Sequence, residues 1–332
     1  MSCGSSCSNP PIHPERSSFT TSNGLSLSYI YQADTGCSRK QSVILLHGVA
    51  SNANYWLCLM RCLAPRFNVY ALDLPNSGSS QSTTPQNLTL PSLTFYLADF
   101  VNHLGLTNAY FVGHGIGGLM ALNYSILFPD RVIRIVTASV NPRSLPAPPP
   151  SAPWDYPIEP QLLILLAQAL APGADINALA PVIARAVDPI NCPAVSDLVP
   201  QYARSVEQYR VYTAALSTID FRTFASAVPV PVLVTAGSLD PYTPLGAAQF
   251  MYDNIPDSTF SEFAEQGYNY PIFATSTFNQ VVYNYLTLTC DPCCAYLLSV
   301  QNASACPGSS TCSTTSAYQR YIDQISSLPS HR

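Results

Sequence analysis

The chain has 332 residues, with 14 Lys and Arg against 19 Asp and Glu and a formal net charge of −5. No basic stripe points to nucleic acid or an anionic membrane surface, and no apolar run approaches the ~18 residues of a transmembrane helix. Charged residues make up only 10% of the chain, against about 25% in ordinary globular domains. Lys40 is the only lysine, so the surface falls to Ser, Thr, Asn, Gln, Tyr and Pro, with little repulsion between copies. A compositional bias of the coding gene and an adaptation to dense packing both produce this pattern.

In chain order, residues 1–24 form a Cys-, Ser- and Pro-rich arm without the basic and apolar regions of a secretory signal. Leu25 to Tyr31 alternates polar and apolar residues and reads as a strand. Val43 to Leu46 is a short continuous apolar run, expected of a strand buried on both faces of a parallel sheet. A helix is expected over 54–63, a strand over 67–72, and a helix from Pro91 to Leu104 that stops at Gly105. Tyr110 to Val112 is the next buried strand; a glycine-rich turn leads into a helix over 117–127, and a strand follows over 132–138. Such alternation argues a parallel sheet flanked by helices.

From Asn141 to Pro160 eight prolines mark a linker, and helices are expected at 161–171, 176–187 and 195–216. Alternation resumes with strands at 232–235 and 259–263, a helix near 247–252 and a last helix ending near 288. The α/β core therefore comprises 25–140 and 229–288, with a Pro-rich linker and helical lid at 141–228 and a Cys-rich extension at 289–332.

Four segments carry chemistry. Val112-Gly113-His114-Gly115-Ile116-Gly117-Gly118 sits between a buried strand and a helix, the context of the Gly-x-Ser-x-Gly elbow. His47-Gly48 follows a buried strand, Asp73-Leu74-Pro75-Asn76-Ser77-Gly78-Ser79-Ser80 forms a tight turn, and Gly237-Ser238-Leu239-Asp240 ends another strand. In this order and spacing they resemble the α/β-hydrolase fold over about 25–140 and 229–288, with the insertion where that family places its lid. The resemblance implies a mostly parallel central sheet and oxyanion-hole amides at Val49 and Ile116. It also implies a serine at position 115, an acid at Asp240 and a histidine at position 268.

Two of these three side chains differ, for Gly115 has no oxygen to attack a carbonyl and Tyr268 stands in the histidine's place. A phenol of pKa near 10 is a poor proton shuttle at neutral pH. Asn76 also replaces a glycine of the family's turn. The resemblance with these departures is to non-catalytic, pseudoenzyme members of the fold. The other histidines, His13, His47, His103, His114 and His331, offer only a rewired triad as an alternative.

Eleven cysteines concentrate at the ends and suggest an oxidising final environment, extracellular or particle-associated. Cys290, Cys293, Cys306 and Cys312 fit a four-thiolate zinc site or, with Cys294, disulfides in an irregular tail, which their Ser/Thr-rich spacing favours. Cys58 and Cys62 share a helix face and are expected to be buried free thiols. No cofactor is called for. The leading expectation is a structural or protein-interaction role through protein partners or self-assembly, for instance in a coat or virus particle. The alternatives are a binder of a small apolar ligand, under lid residues such as Leu162, Leu163, Leu165 and Leu166, and a hydrolase-fold enzyme of non-standard chemistry using Asp240, Tyr268 and the amides.

Overall fold

The computed structural model describes residues 13–32, 41–49, 51–143 and 219–287, with isolated residues between 168 and 215. Eight strands form one sheet: β1 (Glu15–Thr20), β2 (Ser26–Gln32), β3 (Ser42–Leu46), β4 (Asn68–Leu72), β5 (Ala109–His114), β6 (Val132–Ala138), β7 (Val232–Gly237) and β8 (Ser258–Phe263). Their spatial order is β1-β2-β4-β3-β5-β6-β7-β8. β2 pairs antiparallel with β1 and β4, and every pair from β4 to β8 is parallel. This is the mostly parallel, helix-flanked sheet expected from the alternation.

The α-helices whose full extent is described are α1 (Leu57–Leu63), α2 (Leu90–His103), α3 (Ile116–Leu127), α4 (Leu245–Asn254), the single turn α5 (Tyr270–Phe273) and α6 (Thr275–Thr287). At the start of α2 the Thr89 side chain accepts the Ser92 amide and Pro91 sits in the first turn. One face of the sheet packs on α2, α3 and α4, with Ile44, Leu46 and Phe111 pointing to it. Val43, Leu45, Tyr110 and Val112 point the other way, onto α1 and α6. The two-residue period of a strand divides Val43 to Leu46 between two cores, which is why that run is apolar throughout.

β1 lies inside the segment read as an arm. Only Phe19 of its six residues is buried, so an edge strand carries no clear alternation. In the turn after β4 Asn76 takes the left-handed backbone at φ 62°, which asparagine tolerates better than most residues. Its amide then bonds both the carbonyl and the N–H of Thr83. The turn is thus kept without the glycine.

Arg143 and Asp220 pair in an isolated antiparallel β-bridge, and the Phe221 N–H donates to the Pro142 carbonyl at 2.7 Å. The fully buried Tyr212 donates its hydroxyl to the Pro75 carbonyl at 3.0 Å. The lid leucines Leu162, Leu163, Leu165 and Leu166, and the tail cysteines Cys290, Cys293, Cys294, Cys306 and Cys312, lie outside the described residues. The helix-face cysteines differ from expectation: Cys62 is disulfide-bonded, whereas Cys58 is free but exposed. Four-residue spacing puts two side chains on one stripe without making both face the core. Among the described residues no helix is long and apolar enough to cross a membrane, and no group of three His, Cys, Asp or Glu is placed to hold a metal ion.

Candidate active site

The C-terminal ends of β3, β5, β6, β7 and β8 converge on one spot, the usual place for chemistry in an open parallel sheet. Gly115 forms the tip between β5 and α3, with φ 52° and ψ −119°. Glycine takes this region without the steric cost of a side chain. Its N–H is tied to the Ala138 carbonyl at 2.9 Å, and Ile116 opens α3. The Ile116 amide is therefore among the first four of that helix, which have no acceptor within it.

Tyr268, in the loop after β8, comes back over this tip. A Cβ built on Gly115 would lie 2.7 Å from the Tyr268 Oη, and one on Gly48 would lie 3.0 Å from the same oxygen. The phenol thus fills the room that a side chain at position 115 would need. Gly48 in turn lies 3.8 Å from the Gly115 Cβ position, so the loop carrying Val49 faces the elbow. The Tyr268 ring packs against those of His114, with ring centroids 4.3 Å apart, and Tyr242, at 5.0 Å.

Both buried histidines of the site have readable tautomers. The Leu74 N–H donates to His47 Nε2 at 3.0 Å, so the proton sits on Nδ1 and is given to the Gly48 carbonyl at 2.7 Å. His114 Nε2 lies 3.1 Å from the Tyr268 carbonyl, an acceptor, so that nitrogen carries the proton. Its Nδ1 is left as a buried acceptor without a partner. Burial lowers the pKa of both rings, that of His114 to about 3. Both are neutral at pH 7, and each gives its ring proton to a backbone carbonyl. His103 stacks on Phe19 at the end of α2, His13 is exposed and His331 lies outside the described residues.

Asp240, 4% exposed after β7, accepts the Tyr242 and Thr243 amides on Oδ1, each at 2.8 Å. The Ser139 hydroxyl donates to its Oδ2 at 2.7 Å. The structure thus brings Gly115, Asp240, Tyr268 and the loops of Val49 and Ile116 together. It adds Ser139, Tyr242 and Thr243, which sequence reasoning missed. Tyr242-Thr243 follows Asp240 closely enough to be suspected; Ser139 has no motif around it.

This sheet order, with its elbow after β5 and acid after β7, defines an α/β-hydrolase, and the chain belongs to the alpha/beta hydrolase fold family, which matches residues 41–269. It is 26% identical over 252 residues to "Putative carbamate hydrolase RutD" of Caulobacter sp. (strain K31), covering 75% of this chain and 92% of that protein. It is 24% identical over 226 residues to the pimeloyl-acyl-carrier-protein methyl ester esterase of Vibrio campbellii, covering 65% and 83%. Among solved structures it resembles the enol-lactonase from Burkholderia xenovorans LB400, with TM-score 0.69 and 18% identity over 82% of this chain and all (100%) of that one. The esterase RhEst1 from Rhodococcus sp. ECU1013 gives TM-score 0.71 at 18% identity, over 82% and 98%. These relatives overturn the expectation of a structural, non-catalytic role and of a virion component: the proteins this chain resembles are named as hydrolases. Gly115 and Tyr268 at two of the three catalytic positions carried that expectation, with low charge and terminal cysteines in support.

Proposed function

We propose that this chain is a hydrolase-fold enzyme acting on a small ester, lactone or carbamate by direct attack of water, without an acyl-enzyme. The observation that carries the reading is the Tyr268 hydroxyl, 2.7 Å from where a side chain on Gly115 would begin. Position 115 has no nucleophile of its own, and a polar O–H stands there instead. In this reading the amides of Val49 and Ile116 receive the carbonyl oxygen and stabilise the negative charge it gains. The end of α3 adds its positive dipole.

A phenol with a pKa near 10 cannot act as a free base at pH 7. It can act as a relay. As the water oxygen bonds to the carbonyl carbon, its proton passes to Tyr268 Oη. The Oη proton meanwhile passes to the leaving oxygen or nitrogen, whose bond to carbon breaks. The phenol ends as it began, neutral and protonated. His114, neutral and bonded to the Tyr268 carbonyl, fixes one end of the residue.

The test is turnover of p-nitrophenyl acetate and an aryl carbamate by wild type and Tyr268→Phe. Wild type should exceed background without a pre-steady-state burst, and the Phe variant should lose about 10²-fold, the lower range for general acid–base groups. Absence of turnover on both substrates, a burst of one equivalent, or an unimpaired Phe variant each sinks the reading.

A further inference from the structure

Ser139 stands at the end of β6, is 1% exposed, and has φ 48°. A non-glycine residue at positive φ is uncommon and strained, and such strain gathers at functional sites when surrounding structure enforces it. Serine is not among the residues that enter this region readily. Something other than backbone preference fixes the residue here.

Its bonds show what. The Ser139 N–H donates to the Thr235 carbonyl at 3.2 Å, and its own carbonyl accepts the Thr243 hydroxyl at 3.1 Å. The side-chain oxygen lies 2.7 Å from Asp240 Oδ2 and 3.3 Å from the Tyr268 carbonyl. A hydroxyl has one proton, and the nearer carboxylate takes it as a charge-assisted bond. The Tyr268 carbonyl is served by His114. Asp240 uses its other oxygen to hold the Tyr242 and Thr243 amides, and the Tyr242 ring packs against that of Tyr268.

In a Ser-His-Asp site the acid's partner is the histidine that it orients. We infer that Ser139 takes over that donor role toward Asp240 and, through the Asp240–Thr243 loop, positions the Tyr268 ring over Gly115. Ser139 is a positioning residue. It touches no reacting atom, and its strained backbone is the condition for placing its hydroxyl. The connection of Ser139 to turnover rests on the reading of Tyr268 given above; its connection to the placement of Tyr268 does not.

The experiment uses the full chain labelled with ¹³C at tyrosine Cζ, with the Tyr268 resonance assigned by its loss in Tyr268→Phe. Ser139→Gly and Ser139→Ala both remove the hydroxyl, but only glycine relaxes at φ 48°. Both variants should displace or broaden the Tyr268 resonance, and the Gly variant should melt above the Ala variant. Both should lower kcat about 10²-fold, as small misplacements of a reacting group do, with KM within about twofold because no substrate contact is lost. A Tyr268 resonance at its wild-type position in both variants overturns the inference. A moved resonance in a protein whose wild type hydrolyses nothing upholds the positioning and rejects the enzymatic reading. Should neither Ser139 variant fold, Asp240→Asn weakens the same bond from the other side. It should then move the same resonance, and an unmoved one again overturns the inference.

Discussion

Asp73 and Asp240 invite comparison, for both are buried carboxylates at the C-terminal ends of parallel strands and both accept backbone amides. Asp73 gathers distant parts of the chain: the Ala53 N–H at 2.7 Å, the Ser79 N–H at 3.0 Å and the Arg16 guanidinium from β1. Asp240 binds the two amides just after it and the Ser139 hydroxyl across the gap between β6 and β7. The first carboxylate fastens three segments of the scaffold, one of them through a cation. The second organises one loop at the place where the reacting group is held. Burial of a charge therefore identifies neither role; the span and chemistry of its partners do.

The sharpest break in that comparison is removal of each carboxylate in turn. Asp73→Ala strips the Ala53 amide of its buried acceptor and leaves Arg16 unpaired. Arg16 keeps 38% exposure, so water compensates part of the loss, and the expected destabilisation is about 3 kcal/mol, at the low end for broken buried pairs. Asp240→Ala leaves the buried Ser139 hydroxyl and Thr243 amide without their acceptor and should cost about 2 kcal/mol, since these donors are neutral. Urea titration of the two variants measures both, and the Asp73 variant should keep the wild-type rate per folded molecule. A reversed order of stabilities would dissolve the distinction between scaffold and site.

The same distinction governs what could be read in the sequence. β3 and β5 were legible because burial on both faces makes a continuous apolar run, as in Val43 to Leu46 and Tyr110 to Val112. β1 was not, because Glu15, Arg16, Ser17 and Ser18 show no alternation and an edge strand needs none. Gly115, Asp240 and Tyr268 were legible through motifs that tie a residue to a turn. Ser139 was not, since its partner Asp240 is 101 positions away and nothing about a serine announces a left-handed backbone. Asn76 read as a lost glycine, yet its bonds to Thr83 keep the turn. The function was misjudged because Gly115 and Tyr268, at the places of the family's serine and histidine, were read as a structural role, with surface composition in support.

A second test sharpens the comparison through the rings around the elbow. The His114 pKa of about 3 lies below the ordinary 6.5, chiefly through burial. Above pH 6.5 neither folded nor unfolded chain protonates this ring. Below it the unfolded chain takes a proton that the folded one refuses, so stability falls by about 1.4 kcal/mol per pH unit down to about pH 3. His47 is shifted in the same direction by the same cause. His114→Gln should therefore lessen the loss of stability between pH 7 and pH 5 by about 2 kcal/mol, measured by urea titration at the two pH values. An unchanged loss would mean that the folded protein protonates this ring over the same pH range as the unfolded chain.

The smallest expected effect bears most directly on the elbow. Gly115→Ala places a methyl at φ 52° and 2.7 Å from the Tyr268 Oη, so it carries both backbone strain and a collision. Tyr268→Phe removes the oxygen that is struck but leaves the backbone as it was. The alanine should then be less harmful in the Phe background, by about 1 kcal/mol of coupling in a double-mutant cycle. Strain at a positive φ is a property of position 115 alone and cancels from the cycle, so the coupling isolates the contact. Additive effects would mean that Tyr268 does not occupy the room over Gly115, and glycine and tyrosine would be independent departures from the family pattern. Coupling of the expected sign makes them one change: the hydroxyl that the family places at position 115 is matched by one entering the same space from the loop after β8.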